Sequence, residues 1–242
     1  MATAPELSIV IPFRNEALSL PTLYGELREM LGKLGMSAEL IFVDDASTDE
    51  SQLSLLGVAQ HDERMRLLSL ATHCGQSAAL DAGFRAARGE WIATLDADLQ
   101  NDPADLPRLI LARDGVDCVN GVRVTRRDSV TKRWASRIAN GVRRWVLADP
   151  VSDIGCSLRL MRARTLRPIR LFRGAHRFLP VLLQMEGARL SEVPVGHRPR
   201  RYGRSKYSIG NRLVEVLIDL MAVSWMAHRR LRYEAKEIER VS

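Results

Sequence analysis

The chain has 242 residues, 46% of them hydrophobic and 27% charged, with a net charge of +7. That is enough to bury one full α/β core with room for a small appendage. An aromatic content of 5% is thin for a stacking platform on single-stranded nucleic acid, and three cysteines without a C-x-x-C spacing suggest neither a disulfide framework nor a zinc site.

The cysteine usage points to a reducing, cytosolic setting. The opening M-A-T-A-P-E-L-S has neither a basic nor an apolar leader region, so no signal peptide is expected. No run of eighteen uncharged apolar residues occurs, so no membrane span is expected either. Charge is unevenly divided. Residues 1–110 hold 8 Lys and Arg against 17 Asp and Glu, a net of −9, whereas residues 111–242 hold 28 against 12, a net of +16. Such asymmetry suits two electrostatic tasks, one for a metal and nucleotide, the other for an anionic partner or membrane surface.

Leu7 to Pro12 reads as a β-branched strand stopped by proline. Ser19-Leu20-Pro21 opens a helix to about Leu34, with Leu20, Leu23, Tyr24, Leu27, Met30 and Leu31 on one face and Gly35 as its stop. Ala38 to Val43 is a second strand, followed at once by the polar turn D-D-A-S-T-D-E; Ser51 onward is a second helix. Met65 to Leu70 is a third strand, and Ala78 to Ala87 a third helix closed by Gly89. Trp91 to Leu95 is a fourth, buried strand, ending in Asp96-Ala97-Asp98-Leu99-Gln100. The alternation of hydrophobic strands and amphipathic helices predicts a largely parallel sheet with right-handed crossovers. Polar residues follow each strand, at the edge where doubly wound sheets bind ligands.

The two aspartates are hard oxygen ligands leaving a strand together, a pattern that suits Mg²⁺ or Mn²⁺ carried by phosphates. Taken alone, D-x-D reads equally as an acidic turn capping the helix from Pro103. No G-x-G-x-x-G follows the first strand and no G-x-x-x-x-G-K-[ST] occurs, which argues against a dinucleotide-binding dehydrogenase or a P-loop enzyme.

Beyond Gln100, Leu106 to Ala112 reads as helix and Val116 to Gly121 as strand, followed by Val122-Arg123. A basic run contains Arg126, Arg127, Lys132, Arg133, Arg137, Arg143 and Arg144; it reads as a solvated helical face or as an anion site. His176-Arg177-Phe178 precedes a helix from Leu179 to Met185, with His176 read as a satisfied structural histidine or a ligand. Val193 to Arg200 reads as extended, and R-R-Y-G-R-S-K-Y (200–207) as a basic loop suited to phosphate oxygens. Gly210 to Arg232 reads as an amphipathic helix with Leu213, Leu217, Leu220, Met221 and Trp225 in its stripe and positive charge at its end. It is expected to pack on the domain or to lie on an anionic membrane.

Four segments in order, V-I-P-F-R-N-E, I-F-V-D-D-A-S-T-D, A-A-L-D-A-G-F-R-A-A-R-G and L-D-A-D-L-Q-N-D-P, resemble family 2 glycosyltransferases of the GT-A fold. G-A-H-R-F-L-P and V-P-V-G-H-R-P-R-R-Y-G-R-S-K-Y resemble the polyprenyl-phosphate branch typified by dolichol-phosphate mannosyltransferase. The resemblance runs from about Leu7 to Tyr207. It implies a mostly parallel sheet with helices on both faces and a GT-A domain over 1–208, with donor and metal half 1–110 and acceptor half 111–208. The amphipathic helix and basic tail would occupy 209–242.

The resemblance further implies that Pro12, Asn15, Glu16, Asp44 and Asp45 bind the base and ribose of a nucleotide-sugar, and that Asp96, Asp98 and Gln100 hold the metal and diphosphate, with Ala97 between them. Asp45, beyond an apolar strand, is placed to accept hydrogen bonds from ribose or base; its other reading is an N-cap in the D-D-A-S-T-D turn. H-C-G-Q (73–76) departs from the branch, where Phe-Gly-Lys is common; Gln76 stands in the donor set without a lysine's charge. Arg123 and Arg137 fall where the family meets the acceptor phosphate, with Arg200, Arg204 and Lys206 as the clamp in the basic loop. Asp153 opens a D-x-G-x-x-x-R-L segment, as a catalytic base or a turn stabiliser; Asp98, Asp153 and Arg123 form the expected catalytic set.

The reading expects an inverting transfer from a UDP- or GDP-sugar to a polyprenyl phosphate, with Mg²⁺ or Mn²⁺ as Lewis acid. No nucleic acid is expected, and contact with an anionic membrane surface is expected on the cytoplasmic side. The competing readings are the same fold acting on a carbohydrate or lipid-linked saccharide hydroxyl with Asp153 as base, and a non-catalytic basic membrane-binding module. The absence of Q-x-x-R-W and the R-S-K-Y loop speak against the first.

Overall fold

The computed structural model of the chain describes residues 4–124, 141, 143–144, 146–147, 151–202 and 209–230. Strands β1 (Leu7–Phe13), β2 (Ala38–Asp44), β3 (Met65–Ser69) and β4 (Trp91–Thr94) alternate with helices α1 (Leu20–Leu34), α2 (Ser51–Ala59) and α3 (Gln76–Ala86). A 3₁₀ turn at Pro103–Asp105 leads into α4 (Leu106–Leu111). Then come β5 (Cys118–Arg123), β6 (Arg159–Arg162), α5 (Ala163–Leu166), a second 3₁₀ turn (Ala175–Phe178), α6 (Leu179–Met185), β7 (Leu190–Val195) and α7 (Ile209–Arg229).

The seven strands form one sheet in the order β3-β2-β1-β4-β6-β5-β7. β1 to β4 are parallel to one another, β5 is parallel to β7, and β6 alone runs against its neighbours β4 and β5. This is the GT-A-like, mostly parallel α/β architecture that the sequence predicts. β6 is the departure: R-L-M-R is too short and too charged at its ends to be read as a strand. Its direction has a consequence for function. Thr94, at the carboxyl end of β4, pairs with Arg159, at the start of β6, so the segment entering β6 arrives at the edge where Asp96 leaves β4.

Strand periodicity divides the core between two faces. Leu7, Ile9, Ile11 and Phe13 of β1 pack with Leu20, Leu23 and Leu27 of α1 and with Leu106 and Leu109 of α4. On the opposite face Val10 packs with Ile41 and Val43 of β2, Leu80 and Phe84 of α3, and Leu179 and Leu183 of α6. Gly83 lets α3 lie directly on this face, because a Cβ there would overlap the Val10 side chain. A third cluster joins Leu220 and Val223 of α7 to Ala175, Phe178, Val181 and Leu182. α7 therefore packs on the domain, as one of its two readings has it.

Candidate active site

Three loops at the carboxyl ends of parallel strands hold the described residues' only non-glycine positive φ angles, at Asn15 (52°) after β1, Ala46 (52°) after β2 and Leu99 (63°) after β4. Left-handed backbone is disfavoured for side chains bearing a Cβ, so the surrounding contacts must impose it. They can be named. The Asn15 N–H donates to Ser47 Oγ at 2.9 Å and its Oδ1 accepts from the Thr48 N–H at 2.8 Å, which laces the first loop to the second. The Asp45 N–H donates to the Phe13 carbonyl at 2.9 Å. After β4, the Gln100 N–H donates back to Asp98 Oδ1 at 3.1 Å.

These loops enclose a cleft of about 530 Å³ whose walls include Pro12, Glu16, Asp45, Gln76, Asp96, Ala97, Asp98, Gln100 and Arg200. The cleft is large enough for a drug-sized or nucleotide ligand. Asp96 sits at its junction with a smaller inner cavity of about 180 Å³ under Ile154 to Ser157, next to Arg159, His176 and Arg177. Gln76 Nε2 donates to Asp96 Oδ1 at 2.7 Å. Desolvation, with the neighbouring Asp98 carboxylate adding to it, pushes the Asp96 carboxyl up to about 6; the Ser157 hydroxyl, Arg159 and Arg123 oppose the shift. A buried carboxylate whose proton affinity is raised by a neighbouring carboxylate belongs to a site that gains from a cation. Arg200 supplies one, at 2.9 Å from Asp98 and 3.8 Å from Glu16.

The pair also fits a divalent ion. No cluster of three His, Cys, Asp or Glu side chains occurs among the described residues. Two carboxylates in the cleft are the partial set that Mg²⁺ takes when phosphates complete its shell. Gln100 is in the cleft, but its Nε2 is turned to His197 Nε2 (3.4 Å) and the Arg198 carbonyl (3.5 Å), while its own carbonyl accepts from the Arg198 N–H at 2.9 Å. It ties the D-x-D turn to the chain leaving β7.

Asp45 reaches the cleft with its carboxylate already engaged. It accepts from the Cys74 N–H at 2.7 Å and the Gly75 N–H at 2.9 Å, and lies 2.7 Å from His73 Nδ1. The acidic residue after β2 thereby fixes the loop that starts α3. His73 was not singled out by sequence reasoning, because its partner is 28 residues away.

Not every residue expected at the site faces the cleft: Asn15 and Asp44 are absent from its lining. Asn15 laces two loops, and the fully buried Asp44 is held by the Ser47 N–H at 3.0 Å, its hydroxyl, and Gln52. Asp153 is no free base: Arg123 clasps it with Nε–Oδ2 at 2.7 Å and Nη2–Oδ1 at 2.8 Å, and the Gly155 N–H donates to it at 3.1 Å. The same pairing draws Arg123 off the walls of both cavities. Arg200, expected in the acceptor clamp, pairs with Asp98 and lies near Glu16. Arg137, Arg204 and Lys206 lie outside the described residues.

Arg159 was also missed. Almost fully buried, it donates to Asn120 Oδ1 at 3.0 Å, the His176 carbonyl at 2.8 Å and the Ile154 carbonyl at 2.6 Å. It pins the two segments that roof the inner cavity. His176 Nδ1 is 2.9 Å from Ser77 Oγ, a structural role that still leaves the ring in the cavity wall.

The sequence profile of glycosyl transferase family 2 matches residues 8–170. An undecaprenyl-phosphate 4-deoxy-4-formamido-L-arabinose transferase of Pseudomonas paraeruginosa is 37% identical over 217 residues, which is 89% of this chain and 64% of that protein. The namesake enzyme of Edwardsiella ictaluri is 36% identical over 217 residues, 89% of this chain and 66% of that protein. The chain thus spans just under two thirds of the length of these curated relatives. Among solved structures, glucosyl-3-phosphoglycerate synthase from Mycobacterium tuberculosis, in complex with Mn²⁺, UDP-glucose and phosphoglyceric acid, superposes with a TM-score of 0.68 at 17% identity. The superposition covers 92% of this chain and 79% of that one. The same enzyme with Mg²⁺ and UDP gives 0.64 at 18% identity, covering 93% and 77%. At this identity the likeness shows the fold.

Proposed function

The chain belongs to glycosyl transferase family 2, and from that premise we propose that it moves a sugar from a UDP- or GDP-sugar to a polyprenyl phosphate, with inversion at the anomeric carbon. One observation carries the reading: Asp45, Asp96 and Asp98, from the ends of two parallel strands, line a single cleft of nucleotide size. The names of the relatives that are 36–37% identical support the acceptor class.

Asp96 and Asp98 would hold Mg²⁺ or Mn²⁺, with Gln100 beside them; when bound, the ion acts as a Lewis acid on the donor diphosphate. Gln76 keeps Asp96 oriented and Arg200 neutralises Asp98. In the transfer, the bond from the anomeric carbon to the diphosphate oxygen breaks and one to an acceptor phosphate oxygen forms. The diphosphate departs with the bonding pair. A phosphate monoester is largely ionised at neutral pH, its second pKa being about 6, so no general base is required. The engagement of Asp153 with Arg123 is consistent with that economy and disfavours the hydroxyl-acceptor reading. Arg137, Arg204 and Lys206 remain the proposed cations of the basic half.

No helix among the described residues is long and apolar enough to cross a membrane. α7 nevertheless exposes Leu217, Ile218, Met221 and Trp225 on the side away from Leu220 and Val223, near His228 and Arg229. An apolar stripe ending in positive charge supports peripheral contact with an anionic membrane, on the cytoplasmic face.

The test is incubation with labelled UDP- and GDP-sugars, Mn²⁺ and undecaprenyl phosphate. Label extractable into organic solvent is expected. Label recovered only in water-soluble products contradicts the proposal.

A further inference from the structure

A third cavity, of about 680 Å³, lies between the start of α3, residues Arg173 to Arg177, and α7. Its walls share Gln76, His176 and Arg177 with the inner cavity, which in turn shares Pro12, Gln76 and Asp96 with the nucleotide cleft. Three adjoining spaces therefore run from the nucleotide cleft, past Asp96, to α7. Arg177 stands at the boundary of the inner and outer ones.

We infer that Arg177 receives the acceptor's phosphate, and that the acceptor arrives from the α7 side through this outer cavity. The inference rests on the polyprenyl-phosphate reading above and replaces Arg123 as the phosphate contact.

Three observations support it. First, Arg177 pairs with Asp219 of α7 at 3.7 Å, with side-chain exposures of 18% and 17%. This places the guanidinium between α7 and the inner cavity, where a phosphate offers the two-pronged geometry that guanidinium favours. Second, among the described residues the outer cavity's formal charges balance. Arg173 and Arg177 face Glu215 and Asp219, with His73 and His176 also in the walls. Charge alone would not retain a small free anion there.

Third, the missing attraction has an evident source. Ile218 lines the cavity and is 55% exposed, and it adjoins the exposed stripe of Leu217, Met221 and Trp225. An anionic head at Arg177 with an apolar tail along α7 satisfies both features, whereas a nucleotide or a free sugar phosphate supplies the anion but nothing for the apolar stripe. Gly174 (φ +93°) leaves room for Asp219 there, since any Cβ would collide with its carboxylate.

The test is calorimetric titration of the full chain with farnesyl phosphate, a soluble isoprenoid monophosphate, with farnesol and inorganic phosphate as controls. UDP with Mn²⁺ is titrated in parallel. Farnesyl phosphate is expected to bind, and both controls at least tenfold more weakly. Arg177→Gln should weaken farnesyl phosphate tenfold or more, Arg177→Lys should recover part of the loss, and Asp219→Asn should tighten binding severalfold. UDP–Mn²⁺ affinity should stay within twofold in all three, which a general loss of structure would not allow. Wild-type affinity for farnesyl phosphate in Arg177→Gln would overturn this inference alone. A wild-type chain that binds UDP–Mn²⁺ but not farnesyl phosphate would overturn the acceptor class itself, and this inference with it.

Discussion

Gln76 Nε2 donates to Asp96 Oδ1 across 2.7 Å, joining the first residue of α3 to the first carboxylate after β4. A position that the related branch commonly fills with lysine thus serves, in this chain, the carboxylate itself. Gln76→Ala removes the donor and leaves Asp96 with only the repulsion of Asp98 on that side. UDP–Mn²⁺ affinity is expected to fall about tenfold, roughly 1.4 kcal/mol, near the lower end of what a hydrogen bond to a charged group contributes. Titration of the purified variant checks this; unchanged affinity would remove Gln76 from the site.

Asp96 carries a cost that a stability measurement can expose. Its folded-state pKa is raised to about 6 by desolvation and by Asp98. For a raised pKa, stability is fully present below the unfolded value of about 3.9 and is lost as pH rises through the folded value. At pH 7.5 the charged carboxylate therefore strains the metal-free protein, and at pH 4 it does not. Asp96→Asn should raise the metal-free melting temperature at pH 7.5 by several degrees, about 2–4 °C per kcal/mol relieved, with a smaller gain at pH 4. Transfer activity should be lost. A lower melting temperature at pH 7.5 would contradict this electrostatic account.

Far from the cleft, Asp62 behaves in the opposite sense. The Arg64 guanidinium beside it, helped by the Arg64 N–H and the Tyr24 hydroxyl, holds its carboxyl down at about 2 against the cost of desolvation. A depressed pKa contributes stability above the unfolded value that is lost as pH falls towards the folded one. Asp62→Asn should cost about 1 kcal/mol at pH 7, allowing for the partial exposure of Arg64. The difference should shrink between pH 4 and pH 2. Urea titrations at pH 7 and pH 3 give the comparison.

Ala46 holds a φ of +52°, which disfavours any residue with a Cβ by about 1–2 kcal/mol. Ala46→Gly should leave stability unchanged or raise it by up to about 1 kcal/mol, unlike most changes to glycine, because the entropy lost offsets only part of the strain. Ala46→Val should destabilise by more than 1 kcal/mol. Denaturant midpoints of the two variants, moving apart in these directions, check that the loop is imposed by its contacts.

How far the sequence foretold this molecule depends on the range of the interactions involved. β1 to β4 and α1 to α3 were legible because their hydrophobic periods and stop residues are local; α6, from Leu179 to Met185, was read to the residue. β6 was not, since R-L-M-R becomes a strand only through pairing with Thr94 and Asn120, which lie 65 and 39 residues from Arg159. The same holds at the site. Asp96, Asp98 and Asp45 stand out in the sequence because they follow buried strands, whereas the pairing of Arg200 with Asp98 does not. Nor does the partner that each of the others takes. Asp153 finding Arg123, Asp45 finding His73, and Arg159 roofing the inner cavity are all tertiary events. On α7 the stripe was visible as a period, but its division into buried Leu220 and Val223 and exposed Leu217, Met221 and Trp225 required the docked helix.

The central claim is that Asp96 and Asp98 make the cleft a metal-dependent nucleoside-diphosphate site. It is tested most directly by calorimetric titration of UDP and GDP, with Mn²⁺ or with EDTA, into the wild-type chain and Asp98→Asn. The account predicts that one of the two nucleotides binds with Mn²⁺, and that binding weakens at least tenfold both with EDTA and in Asp98→Asn. Binding that is indifferent to EDTA and to Asp98→Asn would contradict it.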